Sequence, residues 1–96
     1  MTHAVKILPK YFDDCISGEK KFEIRKKDRP YCVGDFLALN EWDGAEYTGR
    51  CSLFVIDYIL DDEEYCKKGC VTMSIVPCCL APCDKPMVYE MEDAPC

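Results

Sequence analysis

Residues 18–29, GEKKFEIRKKDR, decide how this 96-residue chain folds. They hold six of its twelve basic residues and three acidic ones, a net charge of +3 in a chain whose net charge is −6. Phe22 and Ile24 are two residues apart and alternate with Glu23 and Arg25, as in a strand with one apolar and one polar face. We predict a strand over residues 21–26 whose apolar face is buried and whose ion-paired polar face is the floor of a binding site.

A helix is predicted immediately before this strand. Residues 5–8, VKIL, are typical of a short strand, and the Pro9 that follows has a fixed φ that suits the first turn of a helix. An apolar stripe with helical spacing comes next, formed by Tyr11, Phe12, Cys15 and Ile16. The helix is expected to end at Gly18, a favourable C-terminal stop.

Three further strands are predicted downstream, over residues 36–42, 50–60 and 71–76. Asp43 and Gly44 give a hairpin signal with a lengthened loop, and the acidic residues 61–64 predict a solvated connection or a single helical turn. Five short strands with one N-terminal helix indicate a mainly β (α+β) protein. A small β-barrel or strongly bent sheet is favoured over a parallel α/β fold, which needs a helix between successive strands.

A chain of this length builds one hydrophobic core, which we assign to a domain of residues 1–76. Residues 77–96 are rich in proline and cysteine and are expected to drape on the barrel or stay mobile. No apolar run is long enough for a membrane helix and no secretory signal is visible, so a cytoplasmic location without a membrane partner is expected. The oligomeric state is left open.

The nine cysteines allow more than one interpretation. Their odd number and their positions within apolar patterns favour reduced thiols over a disulfide scaffold. Redox sensing or disulfides in the tail are weaker alternatives. Cys66, Cys70, Cys79 and Cys83, with Cys78, have the number of thiols for a zinc site but not the close spacing of zinc knuckles, so neither a metal nor another cofactor is predicted.

The motif Gly18-x-Lys20-x-x-Glu23-x-Arg25, followed by a Val-Gly-Asp turn at residues 33–35, resembles the signature of ASCH domains in the PUA-like superfamily. The order of segments over residues 3–76 is similar to that of small bacterial and phage-type ASCH-like proteins. The resemblance implies a PUA-like pseudo-barrel with a cleft between the first helix and the sheet. It also implies binding of RNA or modified nucleosides.

One branch of the ASCH domains hydrolyses the acetyl amide of N4-acetylcytidine. That branch uses the motif lysine, a threonine three residues later and a glutamate on a longer insertion. Lys20 matches the lysine, but Glu23 occupies the threonine position and the insertion is absent here. The resemblance therefore implies a binding fold more strongly than this hydrolysis.

The residues themselves suggest how such a site would work. Arg25 can bind a phosphate or carboxylate through two parallel hydrogen bonds. Lys20 can act as a cation or a general base. Glu23 can accept a hydrogen bond from the exocyclic amine of a base. Tyr11 and Trp42 are the predicted stacking faces, with Phe12 and Tyr31 as further candidates. If the site is catalytic, Lys20 is the base and Glu23 or a downstream acid assists.

Three functions follow. The preferred one is binding of RNA, a nucleotide or a modified nucleoside, and the first alternative is a nucleoside amidohydrolase. The second is a protein-interaction module of phage or mobile-element origin that contacts a basic partner. A plain solvated strand face with weak ion pairs is the structural alternative. A pI near 4.7 argues against nonspecific coating of nucleic acid, and Lys26, Lys27 and Arg29 are interpreted as peripheral charges.

Overall fold

One curled five-stranded sheet and one short helix make up residues 1–78, the part of the chain that the computed structural model describes. The elements are β1 (Thr2–Ile7), α1 (Pro9–Ser17), β2 (Phe22–Lys26), β3 (Phe36–Trp42), β4 (Tyr47–Leu60) and β5 (Cys70–Pro77). The strand order is β1-β3-β4-β5-β2, with β1 and β3 parallel and every other pair antiparallel. The predicted mainly β class, with five strands and one early helix, is confirmed.

The helix has the ends that the sequence predicted. Pro9 occupies its first turn, and Gly18 adopts a left-handed conformation with a φ of 87° while its N–H bonds to the carbonyl of Cys15. A side chain would be strained at that φ, so glycine suits the stop. Phe12 and Cys15 are the buried residues of the helix and pack into the core under the concave face of the sheet.

The faces of β2 are the reverse of those predicted. Phe22 and Ile24 are 44% and 43% exposed, whereas Glu23 and Arg25 are only 4% and 3% exposed. The pairing of β2 with β5 explains this, since Glu23 lies opposite Met73 on the concave core side. The charged side chains tolerate burial because they pair with each other, so hydropathy alone assigned the wrong face.

The convex face of the sheet consequently carries apolar side chains. The registers of β2, β5, β4 and β3 place partly exposed large residues in adjacent rows on this side. They are Phe22, Ile24, Phe36, Tyr58, Leu60 and Val76.

Two arginine side chains, one on β2 and one in the segment after it, contact the edge strand β1. Arg25 Nη2 donates to the carbonyl of Lys6 at 2.5 Å, and Arg29 Nη1 donates to the carbonyl of Ala4 at 3.2 Å. Both acceptors belong to β1, which pairs with β3 on one side and, within residues 1–78, has no paired strand on the other side of the sheet. The guanidinium groups thus satisfy carbonyls that an edge strand leaves unpaired.

The boundaries of the later elements differ from prediction by a few residues. β4 begins at Tyr47 rather than residue 50, and β5 continues through Pro77. The acidic connection contains one turn, in which the N–H groups of Tyr65 and Cys66 bond to the Asp62 carbonyl.

In the described range no helix is long and apolar enough to cross a membrane. Residues 77–96 were expected to drape on the barrel or stay mobile. Residues 79–96 lie outside the described range.

Six cysteines within residues 1–78 carry free thiols, namely Cys15, Cys32, Cys51, Cys66, Cys70 and Cys78. The same residues contain no cluster of three or more potential metal ligands. Two of the cysteines considered for zinc, Cys79 and Cys83, lie outside the described residues.

Candidate functional site

A cleft of about 210 Å³ opens at the seam between β1, α1 and β2. It is lined by Ile7, Tyr11, Lys20, Phe22, Glu23, Ile24 and Arg25. Four of the five predicted site residues are brought together there. The fifth, Trp42, is not among the lining residues: it lies on β3, where Lys6 Nζ is 4.7 Å from the centre of its ring.

Glu23 is held between two cations at the base of this cleft. Its Oε1 accepts from Lys20 Nζ and its Oε2 accepts from Arg25 Nε at 2.9 Å. The side chains of Glu23 and Arg25 are almost fully buried, and that of Lys20 is 15% exposed. Burial of a charge costs several kcal/mol unless it is paired and hydrogen-bonded, so the three residues form one interdependent unit.

Lys20 has little donor capacity left for a ligand. An ammonium has three N–H groups, and Nζ also donates to the Phe22 carbonyl at 2.6 Å and lies 4.0 Å from the Cys15 sulfur. Burial raises the pKa of the Cys15 thiol from 9.0 to about 11, against the opposing charge of Lys20. Lys20 therefore faces a neutral thiol and serves to position Glu23.

Arg25 does have unused donors. Its Nη2 is bonded to Lys6, but its Nη1 is buried and has no hydrogen-bond partner in the residues that the structure describes. An unsatisfied buried polar group costs about 1–3 kcal/mol, and more when it is charged. A ligand acceptor that reached this nitrogen would recover that cost.

Apolar side chains form the walls of the cleft, and two of them are aromatic. Tyr11 and Phe22 both lie near Lys20, whose Nζ is 5.9 Å and 4.8 Å from the respective ring centres. Tyr11 was predicted, whereas Phe22 and Ile24 were assigned to the core. Phe22 and Ile24 could have been identified as cleft residues only from the position of β2 at the edge of the sheet. That position depends on strand pairing and not on local sequence.

The other two aromatic candidates serve the packing of the fold. Phe12 is fully buried, with the Arg50 guanidinium 4.7 Å from its ring centre. Tyr31 packs on His3, the two ring centres being 4.7 Å apart.

His3 has a partner that the sequence did not reveal. Its Nε2 lies 2.8 Å from Asp35 Oδ2, and the other carboxylate oxygen contacts the N-terminal ammonium at 3.3 Å. The hydrogen bond to His3 is the main cause of a lowered pKa of Asp35, and the bond from the Cys32 N–H contributes. The cluster anchors the start of β1 to the loop before β3.

A second ion-pair cluster fastens the helix to the sheet. Glu41 accepts from Arg50 Nε and Nη2 at 2.9 and 2.8 Å and from Thr48 Oγ1 at 2.5 Å. Arg50 Nη2 also contacts Asp13 of α1 at 2.7 Å. The bonds from Arg50 hold the pKa of Glu41 below its ordinary value, with burial opposing. This cluster joins residues 37 positions apart, so no local pattern predicts it.

The fold and site define a small curled β-sheet protein with an open cleft based on a buried Lys-Glu-Arg unit. The chain belongs to the family described as "Domain of unknown function (DUF3850)", which matches residues 2–75. It is also similar to the "Uncharacterized 12.9 kDa protein in GpA 3'region" of Escherichia phage P2, with 52% identity over 48 residues. That match covers 50% of this chain and 44% of the phage protein.

Proposed function

We propose that the cleft binds a single nucleobase, presented by a modified nucleoside or an unpaired nucleotide of RNA, in an ASCH-like fold of the PUA-like type. The observation that carries the proposal is that Arg25, whose buried Nη1 has no hydrogen-bond partner among the described residues, lines the same cleft as the aromatic side chains of Tyr11 and Phe22. A planar ring with a carbonyl group matches both features. The resemblance of residues 18–25 to the ASCH signature supports the same assignment.

The dimensions of the cleft favour a base over a larger ligand. At about 210 Å³ it is smaller than the ~300–1,000 Å³ of pockets for drug-sized molecules. Tyr11 and Phe22 are both partly exposed and can offer an aromatic face to a base. The sugar and phosphate would then remain outside.

The donors indicate which edge of the base would be read. Both oxygens of Glu23 already accept from cations, so its predicted role as acceptor for an exocyclic amine has less support than a role for Arg25 as donor. Arg25 Nη1 suits a carbonyl oxygen, which uracil, thymine, guanine and cytosine all have and adenine lacks. We therefore expect uridine- and guanosine-type bases to bind better than adenine.

Phe22→Ala tests the proposal. Loss of a stacking partner worth about 1–3 kcal/mol should weaken binding of a fluorescein-labelled ten-nucleotide oligouridylate roughly 5- to 150-fold. Fluorescence anisotropy measures this affinity. Phe36→Ala is the matched control, because Phe36 is 40% exposed but lies on β3, outside the cleft. Equal effects of the two substitutions, or no binding of oligouridylate, uridine or guanosine by the unmodified protein, would refute the proposal.

The amidohydrolase alternative makes a different prediction. Among the described residues that line the cleft, none is a serine or threonine, and Lys20 is occupied by Glu23 and a carbonyl. We therefore expect no release of cytidine from N4-acetylcytidine, as followed by liquid chromatography. Release that is lost in Lys20→Ala would contradict this expectation and establish the enzyme instead.

A further inference from the structure

A second cleft, of about 450 Å³, lies where the β2–β3 connection meets the β4–β5 connection. Its lining includes Lys26, Lys27, Lys67 and Lys68, and we call it the lysine groove. Main-chain hydrogen bonds fix its two sides. The Lys27 N–H bonds to the Gly69 carbonyl and the Cys70 N–H to the Lys67 carbonyl, both at 2.9 Å. Two pairs of lysines distant in sequence are thereby held against each other.

The positive charge of the groove is only partly compensated. Lys27 bonds to Asp61 at 3.0 Å, and the lining residue Asp28 contacts Arg29 at 3.8 Å. Lys26, Lys67 and Lys68 form no ion pair with any residue in the range 1–78. Such clustering is unfavourable by itself, because like charges repel, and it is unexpected in a chain with eighteen acidic residues. Asp28 is among the lining residues, but the four lysines leave the groove with a net positive charge, which concentrates anions.

The groove and the cleft of the proposed function are lined by neighbouring residues of the chain. Ile24 and Arg25 line the first cleft, and Lys26 and Lys27 line the second. At a rise of about 3.3 Å per residue, Ile24 in the first lining and Lys27 in the second are about 10 Å apart along the chain. A chain that placed a base in the first cleft could therefore pass its backbone through the groove.

We propose that the lysine groove binds phosphates of a single-stranded nucleic acid, so that the ligand is an oligonucleotide rather than a free nucleoside. This inference rests on the proposed function for its choice of polyanion. Lysine ammonium groups bind phosphates as point charges, without demanding one geometry. The short distance along the chain between the two clefts favours a nucleic-acid strand over an anionic membrane or an acidic protein.

Salt dependence of oligouridylate binding tests the groove. Each phosphate neutralised on a single strand contributes about −0.7 to the slope of log affinity against log salt. With three phosphates in the groove, affinity should fall about 20-fold between 50 and 200 mM NaCl, and the ten-nucleotide oligouridylate should bind more tightly than uridine. Lys67→Gln/Lys68→Gln removes two of the three phosphate contacts. The affinity of this variant for oligouridylate should therefore fall only about 3-fold between 50 and 200 mM NaCl.

The control variant is Lys10→Gln/Lys21→Gln, which removes the same charge from two exposed side chains that line neither cleft. Its affinity should remain about as salt-sensitive as that of the unmodified protein. Equal salt dependence in the two double variants would overturn the groove. So would equal affinity for uridine and oligouridylate, or complete displacement by equimolar tripolyphosphate. Binding of phosphatidylserine vesicles without binding of oligouridylate would also overturn it.

The two proposals fail separately. If Phe22→Ala weakens binding while Lys67→Gln/Lys68→Gln does not change the salt dependence, the base cleft stands and the groove is rejected. If the lysine variant loses salt dependence while Phe22→Ala behaves like Phe36→Ala, the groove binds the strand and the base cleft is rejected.

Discussion

Glu23→Ala is expected to lower the free energy of unfolding by about 3–5 kcal/mol, the usual cost of removing one partner from a buried ion pair. The substitution leaves the Arg25 guanidinium, whose side chain is only 4% exposed, without its counter-charge, and it releases Lys20. Domains of this kind have total stabilities of about 5–15 kcal/mol, so the loss is a large fraction. Urea unfolding followed by circular dichroism measures it.

Two controls separate charge pairing from general damage. Glu19→Ala removes an exposed acid near the same site and should change stability by less than about 0.5 kcal/mol. Lys20→Met/Glu23→Met/Arg25→Met removes all three charges and should recover much of the loss, because no unpaired charge remains buried. If Glu23→Ala is as mild as Glu19→Ala, the pairing of these buried charges contributes little to stability, and the prediction is wrong.

The elements with local determinants were predictable from sequence. The helix ends at Gly18 because that φ favours glycine, and Pro9 suits its first turn, so the residues themselves specify both ends. The orientation of β2 was not predictable in this way. It depends on which strand pairs with β2 and in which register, and β5 is separated from β2 by more than forty residues.

The candidate site was also predictable only where it depends on residues that are close in the chain. Lys20, Glu23 and Arg25 are neighbours in the chain, and strand geometry brings the last two to one face whether that face is buried or exposed. Trp42 was placed in the site on topology guessed from sequence, and the parallel pairing of β1 with β3 puts it elsewhere. Lys67 and Lys68 were not considered for a site, because only the tertiary fold brings them to Lys26.

Glu41→Gln is expected to lower the free energy of unfolding near neutral pH by about 1.5–3 kcal/mol, the value of hydrogen bonds to a charged group. The loss should be smaller than for Glu23→Ala. Arg50 is 46% exposed and stays hydrated when its partner is neutralised, whereas Arg25 does not. Glu23 and Glu41 are equally buried, but their substitution is expected to lower the free energy of unfolding by different amounts, because their cationic partners differ in access to water.

The stability difference between the unmodified protein and Glu41→Gln should also depend on pH. Because Arg50 holds the pKa of Glu41 below 4.5, the unfolded chain takes up this proton first as pH falls. The stabilisation from the carboxylate is therefore fully present above pH 4.5, and it disappears as pH falls through the folded-state pKa. Urea unfolding at pH 7, 5, 4 and 3 measures the difference, which should shrink steadily below pH 5. Glu19→Gln, an exposed control, should show a small and flat difference. A Glu41→Gln difference that stays constant down to pH 3 would contradict this account, because the stabilisation would then not depend on protonation of the Glu41 carboxylate.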